Sequence, residues 1–334
     1  MTNIIGSDHV INNSKDDNGA NDYDPAVPGV VPFSVRMGAL RRAPTAPIFR
    51  NQYSMLFDGN TDGEDTVEWI ETDDSWGTIM GTTAVGAIAS FTVSAWVKLT
   101  DTSADYSVCS FWCDASGGQR RAGMWVGARA AATTTKINVV MNDDGVGATA
   151  TQYSYASSAV TYNVVNNWAH VAVVMTATGG TFYINGSAAG TFSPETGEIS
   201  GNNKGAGDSW TWGTGISNEW HLAPLGVGAL QKYRAGSSSV TKYAGPNSAA
   251  APMKGHIDEL SLWSAALTSG NITTIYNSGA PADLVASGIS GLKLWYRMGD
   301  SGGDSNTVIK DASGNARDAV PENMEAGDIV KVVP

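Results

Sequence analysis

The residues of this chain that could do chemistry are few and scattered. Four histidines occur, His9, His170, His221 and His256, and none has the His-Glu-x-x-His spacing that sets two imidazoles on one helix face around a metal. Cys109 and Cys113 are the only cysteines. On one extended strand they stand about 13 Å apart at ~3.3 Å per residue, too far for a disulfide. They therefore read as small buried hydrophobes in a reducing compartment. No Ser/His/Asp or Cys/His arrangement and no phosphate-cradling Gly-x4-Gly-Lys loop is present. What remains is aromatic. Trp210, Trp212, Tyr233 and Tyr243 sit among Gly, Asn, Ser and Pro, where a flat ring can stack on the apolar face of a pyranose while loop amides take its hydroxyls. The same rings equally suit loop anchors or a subunit interface. Trp220, beside an apolar run, reads as core.

The elements that must carry these residues are strands. With 39 glycines and 16% charged residues, the chain lacks the charged repeats of bundles and coiled coils and points to many turns and short strands. Phe91 to Leu99 alternates, with Phe91, Val93, Ala95, Val97 and Leu99 on one face. Ile137 to Met141 runs into Asn142-Asp143-Asp144-Gly145, a hairpin signal. Trp168 to Met175 is nearly all apolar, as a strand buried on both faces should be. Gly179-Gly180 reverses the chain into Thr181–Gly186, and Leu222–Leu230 and Gly255–Trp263 add strands. One short helix is expected over 268–277, capped by Thr268 or Ser269 and ended by Gly279. Residues 190–219 and 231–252 read as long loops, which in compact domains tend to be either functional or disordered. Residues 1–50 hold Pro25, Pro28, Pro32, Pro44 and Pro47 without periodicity and read as an extended arm. Its basic spot, Arg36, Arg41 and Arg42, suits an acidic partner surface or a solvated linker. A net charge of −12 argues against nucleic acid. No run approaches the ~18 apolar residues of a membrane helix, and no basic start with an apolar core marks a secretion signal.

Four segments together carry a resemblance. Ser54-Met55-Leu56-Phe57-Asp58-Gly59, Phe91–Leu99, Trp168–Gly186 and Gly255–Gly279 (with Gly255-His256-Ile257-Asp258-Glu259-Leu260) resemble, in order, the strands of laminin-G-like domains in the concanavalin A-like lectin/glucanase superfamily. Leu292–Asp300 and Asp311-Ala312-Ser313-Gly314-Asn315 resemble a segment that often precedes the first strand of related domains, in an arrangement similar to lectin-like proteins of marine bacteriophage virions. The resemblance implies an all-β, antiparallel β-sandwich, a concanavalin A-like jelly roll. The expected organisation is the arm (1–50), the laminin-G-like sandwich (51–280) and a C-terminal extension packing on or completing it (281–334).

The resemblance also bears on function. Superfamily glucanases pair two carboxylates about 5 Å apart through a Glu-x-Asp-x-Glu pattern that this chain lacks, so no catalytic residue is assigned and glycoside hydrolysis is a remote alternative. Related domains often hold Ca²⁺ near the positions of Asp58 and Asp258, which makes these two the candidate ligands of a structural Ca²⁺; no other cofactor is expected. The leading expectation is a non-enzymatic virion structural protein, a capsid decoration or fibre-associated subunit made in the host cytoplasm. Its arm would contact other virion subunits or further copies of itself. The alternative is a carbohydrate-binding module for host-surface glycans.

Overall fold

The computed structural model describes residues 49–59, 67–81, 90–100, 105–115, 121–131, 134–142, 153–157, 161–163, 165–176, 179–192, 223–231, 233–235, 240–242, 249–250 and 252–334. In chain order the elements are β1 (Ser54–Asp58), β2 (Trp69–Ser75), α1 (Trp76–Met80), β3 (Ser90–Leu99), β4 (Asp105–Ala115), β5 (Arg121–Ala131) and β6 (Thr134–Asn142). Then come β7 (Tyr153–Ser157), β8 (Ala169–Thr176), β9 (Gly179–Ile184), β10 (Ser187–Phe192), β11 (Pro224–Val227), β12 (Leu230–Gln231), β13 (Tyr233–Ala235), β14 (Val240–Lys242) and β15 (Ala249–Ala250). The last are β16 (Lys254–Trp263), α2 (Ser269–Tyr276), β17 (Leu292–Tyr296), β18 (Ala319–Glu322) and β19 (Ile329–Val330).

Apart from β12 and β15, which pair with each other as a separate ribbon, the strands form two layers. One sheet runs β10-β9-β8-β3-β16-β1-β19, with β17 also on β16. The other runs β18-β2-β11-β4-β5-β6-β7, with β13 and β14 beside β4. All pairings between these described strands are antiparallel except β13 with β4, and a lone parallel bridge joins Leu99 to Val165. The alternation of β3 sets the core as expected: Phe91, Val93, Ala95, Val97 and Leu99 all point between the layers, with Val171, Val173 and Met175 of β8 beside them. The outer face of β8 is buried too, because Ala172 and Val174 lie under Ile272 and Ile275 of α2. That is why its sequence shows no polar alternation.

Three local differences from the sequence reading have simple causes. Helix α2 is capped by Thr268 in a reciprocal capping box with Asn271, and Asn277 (φ 48°), not Gly279, ends it in the left-handed conformation; Asn tolerates that conformation nearly as well as Gly. Gly179 and Gly180 open β9 rather than forming the turn before it. Helix α1 was not anticipated. Five residues are too few for a periodic signal, yet Ser75 caps it and Gly81 (φ 74°) closes it. Its Trp76 stacks on Phe111 at 3.9 Å and meets Phe91 edge-on at 5.2 Å in the core.

Residues 281–334 are built into both sheets. β17 pairs with β16, β18 with β2, and β19 with β1. No helix among the described residues is long and apolar enough to cross a membrane.

Candidate functional site

The positions that gather polar groups begin with a defect in β16. Ile257 points into the core and Asp258 outward, so strict alternation would turn Glu259 inward. Instead the register shifts between Asp258 and Ser261, and Glu259 takes a left-handed conformation (φ 49°). Leu260 and Leu262 then regain the core. The extra residue leaves two consecutive carboxylates buried, Asp258 at 0% and Glu259 at 5% exposure. The strand entering the bulge needs Gly255: its φ is +142°, and a Cβ there would lie 2.2 Å from the Lys98 carbonyl oxygen.

Neighbouring segments answer the two acids. Glu259 accepts from the Trp295 indole N–H and from Arg297 Nε at 3.2 Å. Asp258 accepts from Asn51 Nδ2 at 2.9 Å and from the Glu259 backbone N–H at 2.8 Å. Burial, opposed by Arg297 and by the Trp295 hydrogen bond, pushes the Glu259 carboxyl up to about 7. Burial and then the Glu259 charge hold Asp258 well above the carboxylate range.

Residues 49–53 lie across this place as a strap. Asp300 Oδ2 accepts the backbone N–H groups of Gln52 (2.7 Å) and Tyr53 (3.1 Å), and Arg297 Nη2 donates to the Arg50 carbonyl. Phe49 stacks on Trp295 with centroids 6.1 Å apart and 20° between planes, while the Arg297 guanidinium sits 4.4 Å from the Phe49 ring centre.

Phe49 also forms a wall of an open groove of about 690 Å³, with Asp283, Val285, Lys310, Ala312 and Asp318 around it and Trp295 and Arg297 beneath. The groove mixes apolar surface with polar groups. Val285 is 57% exposed, Lys310 pairs with Asp318 at 2.6 Å, and Asp283 caps the Ala286 N–H at 2.9 Å. Its floor is stiff. Asp311 accepts from the backbone of Trp295, Ser313 and Arg317 and from the Ser313 hydroxyl. Asp304 holds the N–H groups of Gly299, Ser301 and Lys310.

The structure separates the two acids chosen from the sequence. In the β1–β16 ladder Asp58 lies opposite Lys254, four residues before Asp258 and so roughly 13 Å along the strand. Asp58 is exposed, and its N–H donates to Glu68 Oε2 at 2.7 Å. Glu68 is raised to about 8, by burial first and also by the charges of Asp328 and Asp58. No group of three or more His, Cys, Asp or Glu suited to a metal occurs among the described residues. His170 and His256 are pushed down to about 3 and about 4 by burial, so both imidazoles stay neutral. Tyr233 opens β13. Trp210, Trp212, Trp220 and Tyr243, like Arg36, Arg41 and Arg42, lie outside the described residues.

The groove residues were not singled out from the sequence. Phe49 fell inside the apparent arm, and Trp295, Arg297 and Asp311 were visible only as a tail motif. The one available signal was the density of Asp, Gly and Ser over 299–318, which suggests a structured turn region rather than a ligand site.

A family model agrees with this architecture over part of the chain. The model, described as the concanavalin A-like lectin/glucanases superfamily, matches residues 72–230, just under half of the chain. The fold is concanavalin A-like. Among solved structures, a candidate carbohydrate binding protein from Bacteroides ovatus is similar at 15% identity and a TM-score of 0.49, over 84% of this chain and 60% of that one. The chain thus spans about three fifths of that protein's length. A heptameric pentraxin from Limulus polyphemus is similar at 16% identity and a TM-score of 0.40, over 69% of this chain and 83% of that one. A sialidase carbohydrate-binding domain from Ruminococcus gnavus, bound to α2,3-sialyllactose, is similar at 12% identity and a TM-score of 0.38, over 68% of this chain and 95% of that one. No curated protein matches.

Proposed function

We propose that this chain is a non-enzymatic, lectin-like subunit whose sandwich binds carbohydrate in the groove beside Phe49. One observation carries the reading: the groove sets exposed Val285 and half-buried Phe49 against a rim of Asp283, Lys310 and Asp318. A saccharide presents the matching surface, C–H faces flanked by hydroxyls. Lack of catalysis rests on the use to which the acids are put. Asp258 and Glu259 are buried under the strap, and Asp300, Asp304 and Asp311 accept backbone N–H groups, which supports a structural rather than a catalytic use of these acids. A structural Ca²⁺ and a contribution from Trp210, Trp212, Tyr233 and Tyr243 remain part of the proposal. A glycan array probed with the whole chain tests it. Hits that weaken about tenfold in Asp283→Ala with Lys310→Ala support the groove. Hits that respond only to Trp210→Ala or Trp212→Ala move binding to the 190–219 loop, and silence across a broad array removes the carbohydrate reading.

A role as a virion structural component fits the same architecture, with residues 1–48 attaching the sandwich to neighbouring subunits. The strap favours it, since a tethering arm needs a firm root and every residue of Phe49–Tyr53 is pinned by side chains of the sandwich. Removing residues 1–45 is expected to abolish incorporation into particles while leaving the sandwich folded. Normal incorporation of the shortened chain would exclude the arm.

A further inference from the structure

The groove beside Phe49 carries charge, and the way that charge is already engaged limits what the groove can hold. Four carboxylates, Asp283, Asp300, Asp311 and Asp318, line it with two cations, Arg297 and Lys310. Both cations are occupied. The Arg297 guanidinium sits 4.4 Å from the Phe49 ring centre, and each of its nitrogens donates: Nε to Glu259, Nη1 to the Asp300 carbonyl and Nη2 to the Arg50 carbonyl. Its charge is matched by Glu259 at 3.2 Å and Asp300 at 4.0 Å. Lys310 Nζ donates to Asp318 Oδ2 at 2.6 Å, and that hydrogen bond holds the Asp318 carboxyl below its ordinary value.

The other two acids have no cation partner among the described residues that line the groove. Asp311 accepts from three backbone N–H groups and the Ser313 hydroxyl, all neutral donors, which leave its charge in place. Asp283 is engaged through Oδ1, by the Ala286 N–H at 2.9 Å, so Oδ2 remains an acceptor for a ligand hydroxyl. An incoming carboxylate or sulfate would meet this surplus of negative charge. To reach Lys310 it must divide the ammonium with Asp318, while Asp283 and Asp311 stay unmatched. An uncharged saccharide meets no such opposition. Its hydroxyls donate to the carboxylates, and its C–H face lies on Phe49 and Val285. Selectivity of this kind comes from what a site repels as much as from what it attracts.

We propose that the groove selects uncharged glycans and rejects those bearing carboxylate or sulfate groups, with Asp318, which keeps Lys310 occupied, as the residue that sets the discrimination. The inference rests on the carbohydrate reading of the groove and narrows it to a ligand class. Asp318 can be altered without dismantling the turn beneath it. Its Oδ1 accepts the Asp311 N–H at 3.0 Å, as an asparagine oxygen also would, whereas an asparagine Nδ2 cannot accept from Lys310.

Binding of the full chain to a paired array tests this, with lactose, N-acetyllactosamine and a β-glucan tetramer each beside a form carrying one sulfate, uronate or sialic acid. At about 50 mM salt the neutral members are expected to bind about tenfold more tightly than their acidic partners. The gap should narrow at about 1 M salt, where the Debye length falls to about 3 Å. Asp318→Asn, which frees Lys310, is expected to raise binding of the acidic members relative to the neutral ones severalfold. If its thermal transition shows that this variant is unfolded, Asp283→Asn, which keeps the cap on Ala286, is read in its place and is expected to shift the ratio in the same direction. Acidic members bound as tightly as their neutral partners would overturn the selectivity and leave the carbohydrate reading standing. A preference for neutral members that the folded variant does not alter would overturn its assignment to these groove residues. Silence on every pair would remove the carbohydrate reading and this inference with it.

Discussion

At the residue scale, several of the described carboxylates, Asp300, Asp304 and Asp311 among them, serve as hydrogen-bond acceptors for the protein's own backbone. Asp311 is the clearest case. Its two oxygens accept four hydrogen bonds that fix the turn under the groove, so Asp311→Ala is expected to cost about 2–4 kcal/mol, read as a lower denaturation midpoint. Glu68 makes a pH-dependent contribution. Its carboxyl, raised to about 8 from 4.5, binds its proton better in the folded state, so it favours folding at low pH and loses that contribution as pH rises through about 8. Urea midpoints between about pH 5 and 9 should therefore fall less steeply in Glu68→Gln than in the wild type; parallel curves would show that Glu68 is not the group responsible. Little of this was legible in the sequence. Asp58 and Asp258 could be named because the segments around them resemble known strands. Their separation depends on a ladder register, which no local pattern encodes, and the burial of Glu259 depends on a one-residue bulge that the run Ile257–Leu262 does not announce.

At the scale of elements, the strands were legible where one face alternates or both faces are apolar, as in β3 and β8. They were not legible where tertiary pairing overrides local preference. β18 holds Pro321, a residue suited only to a sheet edge, and it is indeed the terminal strand beside β2. Helix α1 is too short to have stood out, yet it places Trp76, wholly buried, against Phe91 and Phe111. Trp76→Ala should cost about 3–5 kcal/mol, measured by chemical denaturation. The end of α1 is secured from far along the chain: Arg317 donates to the Thr78 and Ile79 carbonyls and pairs with Asp74 at 3.3 Å.

For the whole of the described chain from Phe49, the two-layer architecture was readable, and the role of the tail was not. Residues 281–334 add β17 and β19 to one sheet and β18 to the other, and they form most of the groove. A chain ending at residue 280 is therefore expected to lose cooperative unfolding, since it would expose Leu294, Tyr296 and Met298 partners in the core; a sharp thermal transition in that fragment would show that the tail is dispensable. The central claim, that the protein works by holding a saccharide in the groove beside Phe49, is met most directly by methyl chemical-shift mapping as an array-positive glycan is titrated in. Shifts concentrated at Val285, Ala312 and Ala316 are predicted. Shifts that spare those three methyl-bearing residues while other regions respond would contradict it.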